Sequence, residues 1–203
     1  MPSQLFNERF LQTFRPRINA QIAGPVRLLP HMFRSLVITT NYDNVIENLF
    51  GENWFQHIVF GQSITNFRRF RSGGSHCLLK LHGQYNQPET RILTKLEYDA
   101  FYGDGCVGRE EVALIFKNNS LLFLGCSLKD DRTMALMHDV ASLDPNMPNH
   151  YAFLKEEDPI LEREHFLAAR NIFPIWYQKD EAHDDAIEAL LLGLILKQHQ
   201  QTI

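Results

Sequence analysis

The chain has 203 residues, 44% of them hydrophobic and 22% charged, with a formal net charge of -4 at pH 7. That composition belongs to an ordinary globular protein with enough residues for one substantial core, and the acidic balance argues against nucleic acid or a membrane surface as the main partner. No apolar run approaches the ~18 residues of a spanning helix, the first residues lack the basic and apolar segments of a signal peptide, and Cys77, Cys106 and Cys126 form no Cys-x-x-Cys pair, so a cytoplasmic protein without disulfides or a four-cysteine zinc module is expected.

In chain order, Phe6, Phe10, Leu11 and Phe14 share one side of a predicted helix, part of a helical lead-in over residues 1–30. Pro25 and Pro30 break the region before a short strand, Leu36-Val37-Ile38, which ends abruptly in Thr39-Thr40-Asn41-Tyr42-Asp43. Val45, Ile46, Leu49 and Phe50 then recur at helical spacing. Phe55 to Phe60 reads as a strand, followed by a loop holding Arg68, Arg69, Arg71, Gly73 and Gly74. Within it, Asn66 to Arg71 mixes cations and aromatics; in an acidic chain this reads as a solvated loop or a phosphate-facing flap before a nucleic-acid contact. Cys77 to Leu81 is a strand running into His82-Gly83, and Arg91 to Leu93 a short strand. Thr94 and Glu97 have capping-box spacing for a helix through Phe101.

Glu110 to Lys117 reads as a helix, and the all-apolar Leu121 to Leu124 as a buried strand closing in Gly125-Cys126-Ser127. A helix opened by Asp130, a strand from Tyr151 to Leu154, a helix from Pro159 to Arg170, a strand from Asn171 to Tyr177 and a helix from Asp184 to Gln198 complete the pattern. Pro174 marks that last strand as an edge. Strands alternating with helices imply one α/β domain with a doubly wound, Rossmann-like, mostly parallel sheet, its core over residues 31–198.

Three predicted strand ends carry reactive residue types: Thr39 to Asp43, His82-Gly83 and Gly125 to Ser127. In an open parallel sheet such ends line one edge, where ligands bind. They offer an amide (Asn41), a carboxylate (Asp43), an imidazole that can trade a proton near neutral pH (His82) and a glycine-serine turn suited to a phosphate or ribose oxygen. This set suits gripping a nucleotide and cleaving an activated glycosidic bond. Each residue also has a plainer reading. Asn41 or Asp43 caps the following helix, His82 is a structural histidine, Gly125 only turns the chain, and Cys126 is a small buried hydrophobe. His138, His150 and His165 lack metal-ligand spacing, so no metal is assigned.

Thr39-Thr40-Asn41-Tyr42-Asp43, Lys80-Leu81-His82-Gly83 and Phe123-Leu124-Gly125-Cys126-Ser127-Leu128-Lys129-Asp130 together resemble the sirtuin-like domain of bacterial NAD-consuming proteins. That family's usual forms are Thr-Thr-Asn-Tyr-Asp, Lys-Leu-His-Gly and Phe-(Leu/Val)-Gly-Tyr-Ser-Leu-x-Asp, so Cys126 stands where Tyr is usual. The segment from Ile92 through Tyr98 and Tyr102, and the stretch from Ile172 to Tyr177 with His183, carry the likeness further, over roughly Pro25 to Leu196. The resemblance implies that NAD is bound as a substrate and its nicotinamide–ribose bond cleaved. Asn41 and His82 would be the catalytic pair, and Thr39, Thr40, Asp43, Gly125, Cys126 and Ser127 the NAD contacts. In such families the activity often depletes NAD in antiviral defence, with a second copy or a defence-system protein as possible partner.

Two departures accompany the likeness. The zinc module of protein-deacylating sirtuins is missing, which favours hydrolysis over deacylation. The family's opening strand and glycine-rich turn, a pyrophosphate cradle, has no counterpart, because Gly24 is a single glycine followed by Pro25. The chain therefore reads as N-terminally truncated. An NAD glycohydrolase and a non-catalytic nucleotide-sensing or interaction module of a larger assembly both stay open.

Overall fold

The computed structural model describes residues 4–15, 21–32, 36–51, 53–71, 74–157, 159–180 and 182–200. They fall into two compact units, Met1–Phe101 with Leu191–Ile203, and Tyr102–Leu190.

The first unit is built on a three-stranded sheet of β1 (Leu36–Thr39), β2 (His57–Phe60) and β3 (Cys77–Lys80) in the order β1-β3-β2. Both pairings are parallel, with Thr39 and Phe60 each level with Lys80. The central strand β3 is buried along its whole length, which explains its continuous apolar run. Helices α1 (Gln4–Phe14), α2 (Val45–Phe50), α3 (Thr65–Arg71) and α4 (Lys95–Tyr102) accompany the sheet. The expected aromatic side of α1 forms a ladder, with Phe6–Phe10 and Phe10–Phe14 ring centroids 5.9 and 4.6 Å apart.

Two expectations need correction here. The cation-aromatic stretch ending at Arg71 is helical, not a loop. Ile64 and Phe67, both buried, are three residues apart and anchor it, and the Phe70 ring stacks on His57 at 3.8 Å. Arg68 and Arg69 are left on the exposed side, while Gly73 lies outside the described residues. The segment from Arg91 to Leu93 is no strand and joins no sheet among the described residues. Its Ile92 N–H donates to the His82 carbonyl (3.0 Å), closing a loop instead of adding to a ladder.

The second unit repeats the plan. Strands β4 (Leu122–Phe123), β5 (His150–Lys155) and β6 (Ile172–Tyr177) form a parallel sheet in the order β4-β5-β6. Helices α5 (Val107–Asn118), α6 (Arg132–Leu143), α7 (Ile160–Ala168) and the first part of α8 (His183–Gln200), as far as Leu190, belong to it. Met134, Met137, Leu167 and Ile172 are almost wholly buried. Pro174 sits in β6, an edge strand among the described residues as expected, where its missing N–H costs no ladder bond. All four strand pairings are parallel, so the fold is α/β with a mostly parallel, Rossmann-like plan. No helix among the described residues is long and apolar enough to cross a membrane.

Candidate functional site

In the first unit, β1 and β3 end side by side. The Leu81 N–H still donates to the Thr39 carbonyl (3.0 Å), and beyond that bond the two chains part into loops. Asn41 and His82 each stand two residues past the last paired position, Thr39 and Lys80. Short bonds hold the Thr39 loop: the Asn41 N–H donates to Thr39 Oγ1 (3.1 Å), and the Tyr42 carbonyl accepts from the Tyr85 N–H (2.8 Å). Asp43 Oδ1 accepts from the Val45 N–H (3.0 Å), so of the two capping candidates it is Asp43 that serves the start of α2. Thr40 and Asn41 are exposed.

Beneath this loop lies a charge that hydropathy does not anticipate. Lys80 is wholly buried, with its Nζ 2.7 Å from Glu47 Oε1 and donating also to the Asp43 carbonyl. Burial of an ammonium is tolerated only when it is paired and hydrogen-bonded, and this pair ties the end of β3 to the first turn of α2. Glu47 Oε2 and Asn44 Oδ1 are buried acceptors without a hydrogen-bond donor.

His82 is half-buried in a turn that only glycine can complete. Gly83 has φ 89, and a Cβ there would stand 2.2 Å from the Thr90 carbonyl oxygen. The His82 Nδ1 lies 3.2 Å from the Tyr98 hydroxyl, with the rings edge to face at 5.0 Å. Tyr98 is carried by α4, whose start is the expected capping box: Glu97 Oε2 accepts from the Leu93 and Thr94 N–H groups at 2.8 Å, and the Glu97 N–H donates to Thr94 Oγ1 at 3.3 Å. Those backbone donors, Thr94 first and then Leu93, hold the Glu97 carboxyl below its ordinary range.

Tyr42 joins the same group. Its hydroxyl donates to the Ile92 carbonyl (2.8 Å), and burial first, with the neighbouring Tyr98 next, pushes its phenol well above the usual tyrosine range. Phe10 and Phe14 of α1 pack edge-on to its ring at 5.1 and 5.5 Å. The buried Arg91 lies over Phe10 (4.3 Å) and donates to Asn7, Gln84 and Tyr85. Lys80, Tyr42, Arg91 and Tyr98 had no role assigned from sequence. A lysine ending a buried apolar strand was the one visible clue among them.

In the second unit, Gly125, Cys126 and Ser127 form an exposed loop after β4. Gly125 has φ 66, and the position a Cβ would take is open space. Leu128 also turns left-handed (φ 48). Arg163 holds the loop, its guanidinium donating to the Leu128 carbonyl (2.9 Å) and to that of Ser127. Two plainer expectations are corrected. Cys126 is exposed, not a buried hydrophobe, because β4 ends three residues before it. The residue that caps α6 is Asp131, not Asp130, and its Oδ1 accepts from the Met134 N–H (2.9 Å).

The structure thus brings Thr39, Thr40, Asn41, Asp43 and His82 to one sheet edge of the first unit, and Gly125, Cys126 and Ser127 to one loop of the second. Among the described residues no group of three or more His, Cys, Asp and Glu is placed to hold a metal ion. An exposed amide beside an imidazole whose ring is fixed by a phenol can orient a small polar molecule and take its proton. The family model described as "SIR2-like domain" matches residues 35–175, more than half of the chain. No curated protein matches it.

Proposed function

Because the chain belongs to the SIR2-like domain family, we propose that it takes NAD as substrate and hydrolyses the nicotinamide–ribose bond to nicotinamide and ADP-ribose. The observation that carries this reading is the placement of Asn41 and His82 at the carboxyl ends of adjacent parallel strands, the position where α/β sheets bind ligands. The carbon–nitrogen bond breaks with its electron pair passing to the nicotinamide ring, which leaves neutral. The ribosyl cation that develops is favoured by the nearby carboxylate charge of Asp43. Water adds to the sugar carbon and loses a proton to His82, while the exposed Asn41 amide orients the water or the ribose.

Thr39 and Thr40 would hold the nicotinamide ribose by their hydroxyls. In the second unit, the exposed Ser127 hydroxyl and the open backbone at Gly125 and Cys126 suit a phosphate or ribose oxygen. NAD depletion during phage infection is the cellular role this chemistry fits, and it predicts a fall in host NAD that an Asn41→Ala chain does not cause.

The direct test incubates the purified chain with NAD and follows nicotinamide and ADP-ribose by chromatography. Asn41→Ala and His82→Ala should each lower release on the order of 100-fold. Undiminished release by both variants would overturn the assignment. NAD binding with no release from the wild-type chain would point instead to a nucleotide-sensing module.

A further inference from the structure

The segment Asp144-Pro145-Asn146-Met147 ends α6 in a way that leaves the helix's last carbonyls without donors. In an α-helix the carbonyl of one residue takes the N–H of the residue four positions on. For Ala141 that residue is Pro145, which has no N–H. For Ser142 it is Asn146, whose N–H donates instead to Asp144 Oδ1 (3.2 Å). For Leu143 it is Met147, whose N–H donates to the Asp144 carbonyl (3.2 Å). The last turn of α6 therefore keeps its lone pairs at the negative end of the helix.

Ala141 and Ser142 line a cavity of about 370 Å³ in the second unit, whose other wall is the end of α7 at Ala168 and Ala169. The polar side chains of this cavity have spent their protons elsewhere. Asn171 Nδ2 donates to the Met147 and Pro148 carbonyls (3.0 and 3.1 Å), which leaves its Oδ1 to accept. Ser142 Oγ gives its single proton to the His138 carbonyl (2.8 Å). Asp144 adds a half-buried carboxylate, of which the Asn146 N–H engages one oxygen. Among the described residues no lysine or arginine lines the cavity, and His138 is its one titratable base.

We propose that this cavity is a binding site for a guanidinium group carried on a short alkyl chain. The lining offers backbone carbonyls, an amide oxygen, a hydroxyl and a carboxylate. A guanidinium presents five N–H donors in a fixed plane to such a set, whereas an ammonium presents three and is more strongly hydrated. The carboxylate and the helix end both favour positive charge. The small walls at Ala141, Ala168 and Ala169 leave room for the alkyl stem, and the volume is that of a compact small-molecule site. Met147 and Asn171 precede β5 and β6, so the cavity lies at the amino ends of these parallel strands. The Gly125–Ser127 loop follows β4 at the opposite end of the same sheet. The guanidinium site is thus separate from the residues assigned to NAD and does not rest on that assignment.

The test is a 15N–1H NMR titration of the full chain with butylguanidine. Saturable shifts should be confined to residues 138–147 and 168–171, with a Kd of about 1 mM or tighter. Butylamine, with the same stem and charge but fewer donors, should bind at least about tenfold more weakly. Butylguanidine should weaken similarly on Asp144→Asn, in which the amide oxygen still accepts from Asn146 but the charge is gone. Ala168→Leu, at an exposed position of the wall, should abolish the shifts by filling the space. N-acetylarginine methylamide identifies the source of the group. Shifts at the same residues assign the site to an arginine side chain of a protein partner, and their absence while butylguanidine binds assigns it to a free small guanidine. Scattered or non-saturating shifts, an equal response to butylamine, or binding undiminished in both variants would overturn the proposal.

Discussion

His150, at the start of β5, should make this protein acid-labile in a window that can be calculated. Its side chain is wholly buried, its Nδ1 accepts from the Leu121 N–H (3.2 Å), and the rings of Phe116 and Phe123 stand edge-on at 6.0 and 6.3 Å. Its Nε2 is buried without a hydrogen-bond partner. Burial disfavours the imidazolium and pushes the pKa down from 6.5 to about 4. The unfolded chain then binds the proton more readily than the folded one. Stability is full above the unfolded value and is lost as pH falls from about 6.5 toward about 4. With those two values the loss is about 1 kcal/mol at pH 6, about 2 at pH 5 and about 3 at pH 4. Urea unfolding of the wild-type chain and of His150→Asn, which keeps an acceptor for Leu121 but does not titrate, isolates this contribution because all other groups cancel. The variant should be less stable at pH 7, and the gap should close by about 2 kcal/mol at pH 5. A gap that stays constant or widens on acidification would refute the reasoning.

Three further perturbations test the first unit. Lys80→Met strands Glu47 and should cost about 3–5 kcal/mol in urea unfolding, whereas Lys80→Met with Glu47→Met should recover much of it; strictly additive losses would show that the two groups are not coupled. Gly83→Ala places a methyl carbon 2.2 Å from the Thr90 oxygen at a φ of 89, so it should lower the melting temperature by several degrees or prevent folding, and an unchanged melt would contradict the turn. Thr94→Ala removes half of the capping box and should cost about 1 kcal/mol in thermal unfolding, and an unchanged melt would show that the box does not hold the start of α4.

Much of the frame was legible because it depends on short-range rules. The helical repeat of Phe6, Phe10 and Phe14, the unbroken apolar run of β3, the proline in β6 and the Thr94–Glu97 cap each act over a few residues, and the structure carries all of them. The misreadings came where a short-range rule was outweighed. Arginines from 68 to 71 suggest a loop until Ile64 and Phe67 are seen to bury one side of a helix. Arg91 was read as part of a strand because Ile92 and Leu93 are apolar, but its guanidinium is consumed by carbonyls of the preceding loop. Candidate site residues were named from reactive types at strand ends, and this could not reveal their supports. Tyr98 reaches His82 across 16 residues and Lys80 reaches Asp43 across 37, and no local pattern encodes such closures.

Those supports bear on how the Thr39–Asp43 loop can present Asn41 at all. Fixing the backbone of five residues costs about 1–2 kcal/mol each, so this loop must recover roughly 5–10 kcal/mol from elsewhere. Three of its anchors are Thr39 Oγ1 on the Asn41 N–H, the Tyr85 N–H on the Tyr42 carbonyl, and the buried Lys80 ammonium on the Asp43 carbonyl. A neutral bond contributes about 0.5–1.5 kcal/mol and a charged one about 1.5–3, with the packing of Tyr42 under Phe10 and Phe14 added to them. None of the three uses the Asn41 side chain. Asn41→Ala should therefore leave the melting temperature within about 2 °C of the wild-type value while removing whatever that amide does for a ligand. If instead the melt falls as far as it does for Lys80→Met, the amide is one of the loop's supports, and its loss of activity would no longer argue that it acts on substrate.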